Sequence, residues 1–180
     1  MNEKKDIIKS IAVLTLICIV ISGALAVVNS FTAPVSSANA AIREDEARRK
    51  IIPEAVSFEA VENAGFDANI VAAFAGIDES GETAGYVFTV NGTGFGGTIS
   101  VICGISADGK VLRTQALDIS GETKTLGGKV VNPDYADQYI GADASLSGVD
   151  AISGATITSN AYRNCVQAAF AAFELIGEVA

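Results

Sequence analysis

Apolar residues fall along this chain in three different rhythms, and each predicts a different kind of element. From Ile7 to Val28 they run almost unbroken: Lys9 is the only charge, and Ile, Leu, Val and Ala dominate from Ser10 onward. A membrane-spanning helix needs roughly 20 apolar residues, so residues 10–29 read as one transmembrane helix. Lys4, Lys5 and Lys9 precede it, and basic residues are retained on the cytoplasmic side. Residues 1–9 are therefore expected in the cytoplasm and the remainder beyond the membrane. Ala38-Asn39-Ala40 has the small-x-small form of a leader cleavage site, but a signal peptide has an apolar core of only about 7 to 15 residues lying close to that site. The length favours a retained anchor. A lipid anchor at Cys18 is disfavoured, because Ile17 stands before it where a small residue is wanted.

The second rhythm is helical. Ser36 to Ile52, within a juxtamembrane stalk at 30–53, carries Glu44 before Arg48, Asp45 before Arg49 and Glu46 before Lys50, all at i, i+4 with the acid first. That order supports a solvated helix, and Pro53 stops it. Near the C-terminus, Tyr162, Val166, Ala169, Phe170, Phe173 and Ile176 share one face of a helix expected from about Ala161 to Ile176, which is the stripe of a core-packing helix. Ser159 or Asn160 can cap it. Asn132-Pro133 starts a short helix running to about Ile140, with Pro at its first position.

The third rhythm is that of strands. Ile70–Ala75, Gly85–Asn91, Thr98–Ile105 and Lys110–Ile119 are β-branched or apolar runs separated by turn signals at Gly81, Asn91-Gly92 and Asp108-Gly109. Asp108-Gly109 is a two-residue hairpin signal, so the sheet is expected to be antiparallel. Asn91-Gly92-Thr93 has the form of a glycosylation acceptor, although Asn-Gly makes turns readily and a turn accounts for it. Gly94-Phe95-Gly96-Gly97 lacks the Lys-Ser/Thr of a phosphate-binding loop; backbone bending and close packing are its simplest use.

Composition narrows the chemistry. The chain of 180 residues carries 12 Lys plus Arg and 21 Asp plus Glu. Three of those bases and two of those acids precede Ala33, so the outer domain stands near −10. Such a field disfavours nucleic acid and anionic lipid as partners of that domain. Histidine is absent and the three cysteines are scattered without a Cys-x-x-Cys pair, which argues against a metal centre, an iron–sulfur cluster or a His-based triad. Cys103 and Cys165 are read as buried free thiols rather than a disulfide. Electron transfer by this chain would need an organic cofactor.

Asp150-Ala151-Ile152-Ser153-Gly154-Ala155-Thr156 is by itself a loop leading into a helix. It also matches, position by position, the pattern Asp-x-x-(Ser/Thr)-Gly-Ala-Thr, and on that motif the chain resembles the FMN-binding domain family of respiratory membrane complexes. Gly121-Glu122-Thr123-Lys124-Thr125-Leu126-Gly127-Gly128 resembles that family's Glu-Thr-x-x-Leu-Gly element, though Lys124-Thr125 stand where Pro-Gly is usual. Gly92, Gly94, Phe95 and Gly97 resemble its glycine-rich strand entry.

The resemblance implies that a flavin transferase joins FMN by a phosphoester to the Thr156 hydroxyl, with Asp150 serving the transferase. It further implies that Ser153, Gly154 and Ala155 border the cofactor, and that Thr123, Leu126 and Gly127, with Glu122, wall the flavin ring. The implied fold is α+β: an antiparallel-sheet FMN-binding domain with flanking helices at 54–180, outside the cytoplasm, behind one N-terminal transmembrane helix. With that helix, the chain is similar to the G subunit of the Rnf-type ion-translocating ferredoxin–NAD electron-transport complex. Its partners would then be the complex's other membrane subunits, the flavin transferase and membrane lipid. The related C subunit of the sodium-pumping quinone reductase shares the motif but is a longer chain. A stand-alone extracellular flavoprotein and a flavin-free surface-anchored binding domain are the alternatives. No catalytic nucleophile or general base is evident.

Overall fold

The computed structural model describes residues 3–62 and 65–177. The first two residues of the segment 1–9 and the last three of 54–180 lie outside the described residues. Two compact units divide between Ile42 and Arg43.

Helix α1 spans Glu3–Ile51, 49 residues, with Pro34 inside it. The separate span and stalk helix expected from the sequence are therefore one continuous helix. An interior proline removes one ladder hydrogen bond and crowds the carbonyl of the preceding turn, yet the helix runs on through Pro34. The large apolar side chains of its first unit, from Ile7 to Val35, are all more than two-fifths exposed. Within Asp6–Ile51 lies an apolar stretch long enough to cross a membrane.

The second unit is a five-stranded antiparallel meander in the order β1-β2-β3-β4-β5. Its strands are β1 (Ser57–Ala60), β2 (Ile70–Ile77), β3 (Thr83–Thr93), β4 (Thr98–Ser106) and β5 (Val111–Asp118). Four match the expected runs. The fifth, β1, is a four-residue edge strand paired with β2, too short to show a period of two. Strands β3 and β4 are covered on both faces, which is why Val87-Phe88 and Val101-Ile102-Cys103 are apolar without alternation.

Helix α3, Thr156–Gly177, covers one face: Tyr162, Val166, Ala169 and Phe170 join Phe88, Val90, Val101 and Cys103 in the main core. The end of α1 covers the other, where Ala47, Ile51 and Ile52 pack with Val87 and Ile102. The last turns of α1 are thus not a solvated stalk. Of the expected charge pairs, Asp45–Arg49 closes at 3.1 Å; Glu44 instead accepts a 2.8 Å hydrogen bond from the Thr89 hydroxyl, and the Arg48 guanidinium lies 3.9 Å above the Phe74 ring.

Three further expectations need correction. Asn91 and Gly92 are not a turn but lie within β3, paired with Ser100 and Ile99. A Cβ at Gly92 would stand 2.7 Å from Cys165 Sγ and 3.2 Å from the Ala161 carbonyl oxygen, so this glycine lets α3 approach the sheet. The chain reverses instead at Gly94–Gly97, closed by Gly94 N–H donating to Gly97 C=O at 2.8 Å. The β4–β5 hairpin is one residue longer than a two-residue loop: Ser106 and Lys110 close it at 2.8 Å, and Gly109 takes φ +76°. A turn followed by a left-handed residue is the usual three-residue hairpin. Finally, α3 begins at Thr156 rather than near Ala161. Ser159 and Asn160 lie inside it, and the Ser159 hydroxyl accepts from the Ile152 N–H at 3.0 Å, bracing the preceding loop instead of capping the helix.

Between sheet and α3 the chain forms a short 3-10 turn (Gly127–Val131), the helix α2 (Pro133–Ala136) and a second 3-10 turn (Asp137–Tyr139). Together they replace the single helix expected over 133–140, with Pro133 at the first helical position as anticipated.

Candidate functional site

Three segments converge at one edge of the sheet. The first is the β3–β4 turn, which presents Phe95. The second is the loop after β5, whose N–H groups at Leu126 and Gly128 both donate to the Thr123 carbonyl at 2.9 Å. That turn brings Glu122, Thr123, Leu126 and Gly127 to one surface. The third is the start of α3. There Gly154 has φ +78°, Ala155 N–H donates to Ile152 C=O at 2.9 Å, and Thr156 opens the helix.

Between them lies a cleft of about 330 Å³, lined by Phe95, by the Glu122–Gly127 loop and by Gly154 to Thr158. That volume is at the low end for small-molecule sites, which run from about 300 to 1,000 Å³. Phe95, Leu126 and Ile157 are 76%, 46% and 56% exposed. Three large apolar side chains left open around one cleft suit an aromatic ring placed among them.

The cleft joins Thr123, Leu126, Gly127, Glu122, Gly154, Ala155 and Thr156, which are far apart in sequence. Ser153 and Asp150 are not on its wall. Both are exposed, and Asp150 faces a separate groove beside Lys129 and Gln138, with its N–H donating to Gln138 Oε1 at 2.8 Å. Ser153 as a cofactor contact finds no support in this placement; Asp150 is open to an outside partner. Lys124 is exposed and off the cleft.

Residues that sequence reasoning misses also line it. The glycines around Phe95 point to backbone bending, yet an exposed aromatic in a glycine turn has no core to serve. Ile157 and Thr158 follow the Asp150–Thr156 motif and become wall residues only because α3 starts early. Thr158 is 1% exposed and its Oγ1 has no hydrogen-bond partner among the described residues, an unusual state for a buried hydroxyl.

The cleft has a rigid frame. Glu122 Oε1 accepts from the Gly96 N–H at 3.0 Å, fastening the post-β5 loop to the β3–β4 turn. Arg163 on α3 donates to the carbonyls of Leu146 and Val149, holding the loop that leads to Thr156. Tyr135, Tyr139 and Tyr162 stack edgewise beneath the first turns of α3, with the Tyr135 and Tyr139 hydroxyls 3.0 Å apart. Tyr135 OH donates to Ser159 C=O at 3.2 Å and Tyr162 OH to Thr114 Oγ1 at 2.9 Å. Burial pushes all three phenols above their ordinary range, so they remain protonated donors.

Cys103 and Cys165 are free and buried. Burial raises the Cys165 thiol to about 12 and Cys103 upward as well, which makes both poor thiolates. Among the described residues no cluster of His, Cys, Asp and Glu could hold a metal ion.

The residues present fit FMN. Thr156 has an exposed side chain at a helix start, where the first-turn N–H groups lack intrahelical acceptors and favour phosphate. The apolar wall suits the ring, and the orphaned Thr158 hydroxyl offers it a polar contact.

Comparison with known proteins agrees with this class. The family described as "FMN-binding domain" matches residues 94–171, the stretch that holds every wall of the cleft. Fold and site thus define an FMN-binding domain carried behind a long apolar helix. Over 179 residues the chain is 32% identical to the G subunit of the ion-translocating oxidoreductase complex of Methanosarcina acetivorans, covering 94% of this chain and 95% of the relative. It is 30% identical to the G subunit of the Na(+)-translocating ferredoxin:NAD(+) oxidoreductase complex of Acetobacterium woodii, with 87% and 86% covered. The chain belongs to this family of G subunits. The fold is shared by the crystal structure of the C subunit of the Na(+)-translocating NADH-quinone reductase from Parabacteroides distasonis, with TM-score 0.50, 21% identity, and 70% of this chain and 90% of that one covered.

Proposed function

We propose that this chain is the electron-relaying flavoprotein subunit of a membrane-bound ion-translocating ferredoxin–NAD oxidoreductase, carrying FMN through a phosphoester on Thr156. The observation that carries the reading is the position of Thr156: the first residue of α3, side chain exposed, on the rim of an apolar cleft. An exposed hydroxyl is open to a transferase, and a helix N-terminus receives the phosphate it installs. Two G subunits of ion-translocating oxidoreductase complexes, the Acetobacterium woodii one named for ferredoxin:NAD(+), are matched over 95% and 86% of their length and support the assignment to the complex.

FMN accepts and passes on electrons by its own chemistry. The protein's part is to hold it. Thr156 tethers the phosphate end, while Leu126, Phe95 and Ile157 exclude water from the ring and the Thr123–Gly127 loop limits its swing. Asp150, off the cleft and exposed, serves recognition by the flavin transferase. The first unit of α1 anchors the chain in lipid as a single span. Lys4, Lys5 and Lys9 keep its N-terminus cytoplasmic, so the domain sits on the other side and meets the complex's other membrane subunits there.

Peptide mass spectrometry of the full chain co-expressed with a flavin transferase tests the attachment. An adduct on the Thr156 peptide is expected, and Thr156→Ala should give a colourless, folded protein. An adduct on Thr158 or Ser159 instead would overturn the assignment.

A further inference from the structure

Glu122 is 9% exposed and Thr158 1%, yet both lie on the cleft wall. Only one oxygen of the Glu122 carboxylate is engaged by the protein: Oε1 accepts from Gly96 N–H, and among the described residues no hydrogen bond reaches Oε2. Thr158 Oγ1 is likewise without a partner. The two idle atoms approach one spot. A Cβ at Gly127 would stand 2.1 Å from Glu122 Oε2 and 2.8 Å from Thr158 Oγ1, and a Cβ at Gly94 would stand 2.2 Å from Glu122 Oε1. The glycines thus leave room for a carboxylate oxygen open to the cleft and a buried hydroxyl side by side, and among the described residues neither has a hydrogen-bond partner. A bare buried hydroxyl is costly, so a ligand that pairs with Thr158 and meets the open Glu122 oxygen beside it is the simplest account of the two.

We propose that Glu122 and Thr158 read the imide edge of the flavin ring, an inference that rests on FMN occupying this cleft. Ionised, the carboxylate only accepts, whereas the hydroxyl can donate. A ring imide presents the complement, one N–H flanked by two carbonyl oxygens. Its N–H donates to Glu122 Oε2, and a neighbouring carbonyl accepts from Thr158 Oγ1. The apolar side chains of Phe95, Leu126 and Ile157 remain for the ring itself. Electrostatics then assigns the two residues opposite effects. A fixed negative charge beside the ring opposes the addition of electrons, so Glu122 holds the redox potential down; a hydroxyl donating to the carbonyl favours the more electron-rich ring, so Thr158 raises it.

The test uses the full chain with FMN attached, its presence on Thr156 confirmed by peptide mass, and reads the flavin potential by redox titration in detergent. Glu122→Gln keeps an oxygen for the Gly96 N–H and lies outside the attachment motif, so fold and attachment are preserved. It should shift the oxidised–reduced equilibrium at least tenfold toward the reduced flavin, a rise of about 30 mV for a two-electron couple. Thr158→Val should lower the potential by a smaller factor and displace the flavin absorption band, with Thr158→Ser close to the parent. A potential unmoved or lowered in Glu122→Gln, or a Thr158→Val protein indistinguishable from Thr158→Ser, overturns the edge assignment and leaves the flavoprotein reading standing. Absence of FMN from Thr156 in the parent overturns that reading itself.

Discussion

Helices α1 and α3 are both rich in apolar residues and bury them in opposite ways. In α1, Ile7, Leu14, Val20 and Phe31 are 58%, 63%, 62% and 77% exposed, whereas Tyr162, Val166 and Ala169 of α3 are completely buried. The difference lies in arrangement. From Ser10 to Val28 apolar residues surround α1 on nearly every side, the pattern that suits a bilayer rather than water. In α3 they form a stripe, and one sheet face satisfies it. The last turns of α1 change from one rule to the other: Ala47 and Ile51, four residues apart, face the sheet, while Asp45 and Arg49 pair in solvent. A single helix thus carries two solvent preferences along its length.

The contrast can be broken most forcefully at Tyr162. Tyr162→Ala should cost about 3–5 kcal/mol of domain stability, as for other large buried rings, measured by denaturant unfolding of the full chain in detergent. Tyr162→Phe should lose only about 1 kcal/mol, the hydrogen bond to Thr114. Equal losses in the two would mean that packing is not what binds α3 to the sheet.

Leu16→Arg probes the other environment. A charge mid-span costs about 2.5–3.5 kcal/mol of insertion, so alkaline extraction should release more of this variant from membranes, while the unfolding midpoint of the domain stays put. A drop in that midpoint would show that this part of α1 supports the fold.

Gly92→Ala sharpens the close approach of α3. With Cys165 Sγ 2.7 Å from the new Cβ, overpacking should cost about 1–3 kcal/mol, and relief by Cys165→Ala in the double variant is the check. The smallest effect belongs to the exposed pair on α1: Asp45→Asn should change stability by about 0.3–0.5 kcal/mol, and less still in 1 M salt.

Misread positions in the sequence share one cause. Asn91-Gly92 carries turn chemistry, but the glycine is required by a helix arriving from about 70 residues later in the chain. Ser159 is a good cap locally; the tight turn at Gly154 starts the helix sooner and turns its hydroxyl toward Ile152. Strand β1 has no alternating pattern to read, because as an edge strand it is held by backbone pairing with β2 rather than by a buried face. Of the site, Thr156 and the Glu122–Gly127 loop were legible because motif spacing is local information. Phe95 and Thr158 were not, since what marks them is a neighbour from another segment.

By itself the sequence determined the elements whose signal is carried within one stretch: the apolar span, the stripe of α3, four strands and the motif from Asp150 to Thr156. Periodicity and turn chemistry act over a few residues, and those interactions are decided before the chain meets itself. Tertiary structure alone decided that the end of α1 covers one face of the sheet and α3 the other. It also decided that Phe95, Glu122 and Thr158 border one cleft, with a carboxylate oxygen and a hydroxyl left over beside Gly127. Those facts depend on burial and on partners supplied by distant segments, and no local pattern encodes which distant residue will arrive.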